Sequence, residues 1–318
     1  MKQVIKLNFA DFWEGFNKED NYFIQLLSSR YEVRLSDDPD FLIYSCYGKE
    51  YLKYKCIRIF YTAENLRPDF FGCDYALSFD IMSNPRQYRL PLYALYIGLW
   101  EQQANVLRPL VREEMRCEWQ KKTKFCCMLV SNGNSRRRID FFHKLSAVKA
   151  VDSGGRYLNN VGGPVPNKLE FIRNYRFVFA FENSSYPGYV TEKLIEPCFM
   201  HSIPIYWGNP KVSIDFNPGR FINAHDYADD ESMIRRILEI DQNEEMALDI
   251  ISQPIFTGNQ YPETIREENV FRFFEMIFDQ SREITPVART GRHLVHRVHR
   301  SLDRVRGRLY YHLGLNFR

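Results

Sequence analysis

The chain has 318 residues, of which 45% are hydrophobic and 26% charged, a balance typical of globular proteins and long enough for two domains. Its formal net charge of +3 is too small for a protein whose whole surface binds nucleic acid. No apolar run approaches the ~18 to 20 residues that span a bilayer, so we expect no membrane-spanning helix.

Cysteine usage and the first residues bear on the cellular compartment. The seven cysteines include no C-x-x-C spacing, and Cys126 and Cys127 stand side by side in an apolar run. Lys2 and Lys6 interrupt any apolar stretch at the start of the chain. We therefore expect reduced thiols, no zinc site, no signal peptide and a cytoplasmic location.

The first part of the chain predicts short strands separated by helical or irregular segments. Apolar patterns predict strands at 4–7, 31–35, 41–44, 57–61 and 75–79. A helix is predicted at 21–29, with Phe23, Leu26 and Leu27 facing inward. Strands that alternate with such crossings favour a parallel sheet.

The charged segment 101–122 predicts a helix or a connection, and a second strand-rich unit follows it. Strands are predicted at 125–130, 177–181 and 203–207. Helices are predicted at 138–151, 191–200, 230–239 and 267–278. Two α/β halves leave a cleft between them, and ligands of such sheets bind beyond the carboxyl ends of the strands.

The segment 177–210 combines a buried strand with a capped helix. Thr191 is a candidate N-cap, and Glu192 falls in the first turn of the predicted helix. A helix that starts at the carboxyl end of a strand favours an anion, and Lys193 adds a positive charge. An ordinary capped helix with a solvated Glu–Lys pair explains these residues equally well, so their pattern leaves both readings open.

The same segment contains F-x-F-E-N-S, G-Y-V-T-E-K-L and I-P-I-Y-W-G in succession. This order and spacing resembles the signature of the bacterial-type α-1,3/4-fucosyltransferases, glycosyltransferase family 10. The motifs F-Y-T-A-E-N at 60–65 and S-N at 131–132 with Arg138 agree with it. The resemblance extends over about residues 55–280.

The resemblance implies an α/β fold of the GT-B type, in which two Rossmann-like domains face a central cleft. We predict an acceptor-binding domain at 1–118 and a GDP-fucose-binding domain at 119–262. A helix at 263–285 would pack back on the domains, and 286–318 would form a basic amphipathic tail.

The family's reaction transfers fucose from GDP-β-L-fucose with inversion, here to the GlcNAc of a LacNAc-type glycan. The resemblance places the catalytic base at Glu64, although a solvated loop carboxylate is the alternative. It places donor contacts at Arg138, Asn183, Ser184, Tyr189, Glu192 and Lys193, with Arg156 held in reserve. Which arginine of 136–138 meets phosphate stays open.

Arginine and lysine can neutralise the departing diphosphate, and the sequence has no convincing D-x-D metal motif. We therefore predict no cofactor and no bound metal. Two alternatives are a transferase for another GDP-sugar and a non-catalytic relative that binds glycan or nucleotide. The sequence does not distinguish α-1,3 from α-1,4 linkage, nor does it identify the natural acceptor or the oligomeric state.

Seven arginines lie between residues 289 and 308, and Val295, Val298, Leu302, Val305 and Leu309 recur at steps of three and four. Beside this stripe, His293, His296 and His299 are interpreted as basic surface groups. The helix could contact an anionic membrane, which we favour, or a second subunit in a homodimer. Lipopolysaccharide or Lewis-type glycans would fit such a setting. We expect catalysis not to need residues from 287 onward.

Overall fold

The structure is a computed structural model that describes residues 2–100, 106–131 and 133–312. In the helices that end at residues 100 and 312, side chains are described up to residues 97 and 302. The chain forms two compact units. The first contains residues up to 78, 82–90 and those from 266 onward, and the second contains 79–81 and 91–265.

Each unit contains one parallel sheet. In chain order, the strands are β1 (Val4–Ala10), β2 (Glu32–Leu35), β3 (Phe41–Tyr44), β4 (Ile57–Tyr61), β5 (Tyr75–Ser78), β6 (Gln87–Arg89), β7 (Lys124–Met128), β8 (Val151–Ser153), β9 (Tyr175–Phe181), β10 (Ile203–Trp207) and β11 (Ile222–Asn223). The first sheet has the order β2-β1-β3-β4-β5-β6 and the second β11-β10-β9-β7-β8. Every ladder in both sheets is parallel, which confirms the predicted α/β organisation.

The helices of the described residues connect and cover these strands. They are α1 (Tyr22–Ser28), α2 (Leu92–Trp100), α3 (Arg112–Lys121), α4 (Arg136–Val148), α5 (Lys168–Arg173), α6 (Glu192–Phe199), α7 (Asp230–Gln242), α8 (Glu244–Ile251), α9 (Glu267–Gln280) and α10 (Arg292–His312). The helices predicted at 21–29, 191–200, 230–239 and 267–278 are confirmed within a few residues. The helix predicted at 138–151 was wrong at its end, because residues 151–153 join the second sheet as β8.

The central strand β4 of the first unit has all five of its residues buried, among them Arg58. Helix α9 packs on this unit through aromatic rings. Tyr31 stacks on Phe271 with ring centroids 5.6 Å apart, and Phe41 meets Phe278 at 4.7 Å. These contacts explain why the chain from residue 266 returns to the first unit.

The second unit has its own core beneath α3, α4, α7 and α8. Trp119 of α3 is buried in this core, where its ring lies 6.0 Å from that of Phe177. On the surface, Arg112 of α3 pairs with Asp249 of α8 at 2.8 Å. Because α3 is anchored in this way, residues 91–118 belong to the second unit, whereas we had predicted a boundary at 118/119.

The segment that we predicted as a tail begins as part of the first unit. Val287 and Ala288 are each only 4% exposed, and the Val287 amide donates to Asp74 Oδ1 at 2.7 Å. His293 and His296 are 7% and 5% exposed, so their interpretation as surface groups was wrong.

The two histidines turn inward because unit 1 offers polar partners beneath α10. His296 lies 2.6 Å from Asp69 Oδ2 through Nδ1 and 2.5 Å from Tyr51 Oη through Nε2. His293 Nδ1 lies 3.2 Å from the buried guanidinium of Arg58. Burial, reinforced by Arg58, lowers the pKa of His293 to about 4.

Candidate functional site

A cavity of about 430 Å³ lies in the second unit, where β7, β8 and β9 end. These three strands are neighbours, and ligands of parallel sheets bind at this edge. Five of the predicted donor residues line the cavity: Arg138, Arg156, Asn183, Glu192 and Lys193. The structure therefore gathers in one place residues that are separated by up to 55 positions in the sequence.

The loop after β8 forms one wall because it presses directly on the end of β7. The Tyr157 amide donates to the Val130 carbonyl at 3.1 Å. A Cβ atom at Gly155 would lie only 2.0 Å from that same carbonyl oxygen, so this position needs glycine. The close approach carries Arg156 to the cavity wall.

The three arginines at 136–138 have different surroundings. The Arg136 side chain is 94% exposed, and Arg137 pairs with Asp230. Arg138 is only 1% exposed, and its Nη1 donates to the Phe181 carbonyl and to Asn183 Oδ1, each at 3.2 Å. Arg138 is therefore the arginine of this run that reaches the cavity.

A buried carboxylate, which the sequence did not single out, organises the start of α6. Glu182 is fully buried, and its Oε1 accepts the Thr191 amide at 2.7 Å. The Thr191 hydroxyl donates to Glu182 Oε2 at 2.8 Å. Thr191 also caps α6, as predicted, by accepting from the Lys193 amide. Glu182 thus fixes the first turn of α6, which carries the cavity-lining residues Glu192 and Lys193.

Lys193 lies between two carboxylates. Its Nζ is 3.3 Å from Glu192 Oε1 and 3.4 Å from Glu182 Oε2. Burial alone would lower the pKa of Lys193, but Glu192 and Glu182 outweigh that effect and raise it. Burial alone would likewise raise the pKa of Glu192, but Lys193 and Lys168 lower it to about 2. Both side chains are therefore charged in the neutral pH range.

One cation that lines the cavity, Lys168, was not among the residues predicted from the sequence. Lys168 is the first residue of α5, and its Nζ lies 3.7 Å from Glu192 Oε1 and pairs with Glu196 Oε2. Burial raises the pKa of Glu196 to about 7, against the opposing charge of Lys168. Asn167 caps α5 by accepting from the Glu170 amide at 3.1 Å. That N-x-x-E pattern, a helix-start signal, could have revealed α5 in the sequence.

The two remaining donor candidates, Tyr189 and Ser184, lie on the loop between β9 and α6. Tyr189 is 2% exposed, and its ring packs edge-on against Phe79 at 5.0 Å. Ser184 is partly exposed. Of the residues that the structure describes around the cavity, neither belongs to the lining, so their contacts with a donor stay predictions.

Glu64 lies in the first unit, three residues beyond the end of β4. Its amide donates to Thr62 Oγ1 at 3.1 Å, and the Thr62 hydroxyl donates to the Glu64 carbonyl at 3.0 Å. Its carboxylate accepts a hydrogen bond from Tyr47 Oη at 2.9 Å. This tight turn presents a partly exposed carboxylate at the carboxyl edge of the first sheet.

Among the described residues, no cluster of three or more His, Cys, Asp or Glu side chains could hold a metal ion. In the same part of the chain, every helix is too short or too polar to cross a bilayer.

Comparison with known proteins finds relatives over most of the chain. Residues 7–96 match the N-terminal domain of the α-(1,3)-fucosyltransferase FucT family, and residues 119–249 match the C-terminal domain of glycosyltransferase family 10 (fucosyltransferase). The chain is 31% identical over 320 residues to the α-(1,3)-fucosyltransferase FucT of Helicobacter pylori. The alignment takes in 86% of this chain but 66% of that enzyme's length.

Solved structures are similar as well. The crystal structure of an α1,3-fucosyltransferase with GDP-fucose has a TM-score of 0.72 at 27% identity, covering 88% of this chain and 91% of that one. A second crystal structure of an α1,3-fucosyltransferase has a TM-score of 0.75 at 27% identity, covering 91% of this chain and 93% of that one. These likenesses confirm the predicted GT-B class with two Rossmann-like domains.

The family models and the relatives agree with the motifs at 60–65 and 177–210. The chain belongs to glycosyltransferase family 10, the fucosyltransferases.

Proposed function

We propose that this protein is an inverting α-1,3-fucosyltransferase that moves fucose from GDP-fucose to the GlcNAc of a LacNAc-type glycan. The observation that carries the proposal is the cavity of the second unit, where four cationic side chains converge: Arg138, Arg156, Lys168 and Lys193. A nucleoside diphosphate is the ligand that such a set suits, because a guanidinium binds phosphate bidentately and an ammonium adds a point charge.

The residues of the cavity contact different parts of the donor. Arg138 and Lys193 stabilise the negative charge that develops on the diphosphate as GDP leaves. Glu192, held ionised by its lysine neighbours, accepts hydrogen bonds from hydroxyls of the ribose or the sugar. Asn183 and Tyr189 supply further donor contacts. Arg156 sits on the glycine-dependent loop and closes the phosphate side.

Glu64 acts as the base. Its carboxylate takes the proton of the acceptor hydroxyl, whose oxygen forms a bond to C1 of fucose while the bond from C1 to the β-phosphate oxygen breaks. Because attack and departure occur on opposite sides, a β-linked donor gives an α-fucoside. Removing Glu64 would leave donor binding intact and stop transfer.

We propose that no divalent metal is needed, because the cationic side chains can neutralise the leaving diphosphate directly. A tenfold loss of rate corresponds to ~1.4 kcal/mol. Turnover after chelation should therefore stay above roughly a tenth of the untreated rate. A deeper loss that Mn²⁺ or Mg²⁺ restores would overturn this proposal.

A donor and product panel tests the activity itself. The full chain is incubated with N-acetyllactosamine and, in parallel, GDP-fucose, GDP-mannose or another GDP-deoxysugar. We expect turnover with GDP-fucose and an α-1,3 linkage in the product by NMR. Preference for another donor would favour the first alternative, binding of GDP-fucose without turnover would favour a non-catalytic relative, and an α-1,4 product would revise the linkage.

We also propose that the protein works in the cytoplasm and touches an anionic membrane through α10, where lipopolysaccharide or Lewis-type acceptors are assembled. The outward face of α10 carries exposed Leu294, Val295, Val298 and Leu302 (63%, 40%, 56% and 54% exposed), beside the exposed Arg297. Basic amphipathic helices bind anionic surfaces in this way.

Co-sedimentation with vesicles tests the contact. Binding to phosphatidylglycerol vesicles, absent with phosphatidylcholine and weakened by Val298→Asp, would support it. Absence of binding together with a concentration-dependent dimer that Val298→Asp dissolves would favour the homodimer instead.

A further inference from the structure

Tyr47 is the side chain that holds the carboxylate of Glu64. Its hydroxyl donates to Glu64 Oε1 at 2.9 Å. Tyr47 and Glu64 each lie three residues beyond the end of a strand, Tyr47 after β3 and Glu64 after β4. These strands are direct neighbours in the sheet, with Tyr44 paired to Phe60, so the two loops leave the same edge side by side.

The Tyr47 loop is fixed in place by Asp11, the residue that follows β1. The Tyr47 amide donates to the Asp11 carbonyl at 3.0 Å. The Asp11 carboxylate accepts the amides of Glu50 at 2.9 Å and Tyr51 at 2.8 Å. A Cβ atom at Gly48 would lie 2.1 Å from Asp11 Oδ1, which shows how closely the loop approaches. Tyr47 therefore enters the site from a backbone with little freedom.

Aromatic contacts support the same geometry. The Trp13 ring stands edge-on to the Tyr47 ring at 6.5 Å, with an interplanar angle of 86°. Trp13 in turn meets Phe16 at 5.4 Å, and Phe16 stacks on Phe12 at 4.0 Å. The cluster limits the swing of the Tyr47 ring although 47% of that residue is exposed.

We propose that Tyr47 is a positioning residue that orients the Glu64 carboxylate towards the acceptor hydroxyl by a hydrogen bond. This inference rests on the proposed role of Glu64 as base. A carboxylate on a surface turn samples several rotamers, and one fixed oxygen leaves the other oxygen aimed at the acceptor.

The test compares Tyr47→Phe with Tyr54→Phe in the full chain, by GDP release with GDP-fucose and N-acetyllactosamine. Tyr54 serves as the control because it lies in the same unit and is partly buried against the apolar cluster that contains Tyr44 and Tyr51. We expect Tyr47→Phe to lower kcat about tenfold while the acceptor KM stays within about twofold, because the ring remains and only the hydrogen bond is lost. Tyr54→Phe should match the wild type.

The split between kcat and KM separates positioning from a merely structural role. A local loss of structure would change Tm or the acceptor KM together with kcat, whereas loss of the hydrogen bond alone lowers kcat in a protein of wild-type Tm. A Tyr47→Phe enzyme with wild-type kcat would overturn the proposal.

Glu64→Ala, assayed in parallel, tests the role of Glu64 as base separately from the positioning role of Tyr47. If Glu64→Ala retains wild-type turnover, the base is misassigned and the role of Tyr47 falls with it. If Glu64→Ala loses turnover while Tyr47→Phe behaves as wild type, only the positioning role is refuted.

Discussion

The cation that the sequence did not reveal gives the sharpest prediction about the donor cavity. Lys168→Met keeps most of the side-chain length and removes the charge that lies 3.7 Å from Glu192 and pairs with Glu196. We expect weaker binding of GDP and GDP-fucose, because the variant loses one of the four cations that line the cavity proposed to hold the diphosphate.

The expected loss of binding free energy follows from Coulomb's law, reduced for screening by solvent and by neighbouring charges. Two unit charges 4 Å apart interact by ~4 kcal/mol at an effective dielectric constant of about 20. Lys168 has 36% of its side chain exposed, and it already interacts with two carboxylates, so solvent and those neighbours screen much of this value. With Lys168 gone, the raised pKa of Glu196 favours its neutral form, which offsets part of the lost charge. A net loss of about 1.5 to 2 kcal/mol remains, a rise in Kd of roughly 10- to 30-fold.

Isothermal titration of GDP into the full chain measures this effect. Lys144→Met is the matched control: Lys144 lies on α4 of the same unit, with 46% of its side chain exposed and pairs to Asp230 and Glu231. It should leave Kd unchanged. Equal Kd values for Lys168→Met and wild type, in a variant with unchanged Tm, would refute the reasoning that Lys168 faces the diphosphate.

Three further predictions concern the cavity loop and the end of the chain. Gly155→Ala should raise the Kd for GDP about tenfold or cost about 1 to 3 kcal/mol of stability, because its Cβ atom would collide with the Val130 backbone. In Gly154→Ala the Cβ atom would meet only side chains at 3.0 Å, so both the Kd and the stability should change less. Titration with GDP and thermal unfolding of both variants check this. Truncation before Val287 should lower Tm, because Val287 and Ala288 are buried in the first unit and the Val287 amide donates to Asp74; thermal unfolding of the truncated chain checks this. The pKa of His293 is 6.5 in the unfolded chain and about 4 in the folded protein, so between these values the unfolded chain binds the extra proton. The free energy of unfolding should therefore decline as the pH drops from 6.5 towards 4, by up to about 1.4 kcal/mol per pH unit. Urea unfolding of wild type and His293→Asn at pH 7 and pH 5 should show a smaller decline in the variant.

The parts of the fold that the sequence predicted are those with an unambiguous local pattern. Strand β9 and helix α6 were recognised because a continuous apolar run is followed by a Thr cap and an acidic first turn. The short strands β6 and β8 were missed, since three residues carry no measurable periodicity. The boundary of the units was misplaced because α3 reads as a polar linker, and only Met115 and Trp119 show its buried face.

The candidate site divides in the same way. Motif residues such as Arg138, Glu192 and Lys193 could be named from the sequence, and the structure places them around one cavity. Lys168 and Tyr47 could not, because each acts through partners that are distant in the chain. The histidines of α10 were misjudged because the segment from residue 287 reads as a basic tail separate from the domains. In the described part of the stripe, Val295, Val298 and Leu302 are exposed. The imidazoles instead face inward, where they meet buried Arg58 and half-buried Asp69.

The most direct test of the central claim is GDP release from GDP-fucose with N-acetyllactosamine in the presence of EDTA, for wild type beside Glu64→Ala. We predict steady release by the wild type and a loss of about 100-fold or more in the variant, with an unchanged Kd for GDP. A folded wild type that binds GDP but releases none from GDP-fucose, or a Glu64→Ala variant as fast as the wild type, would contradict it.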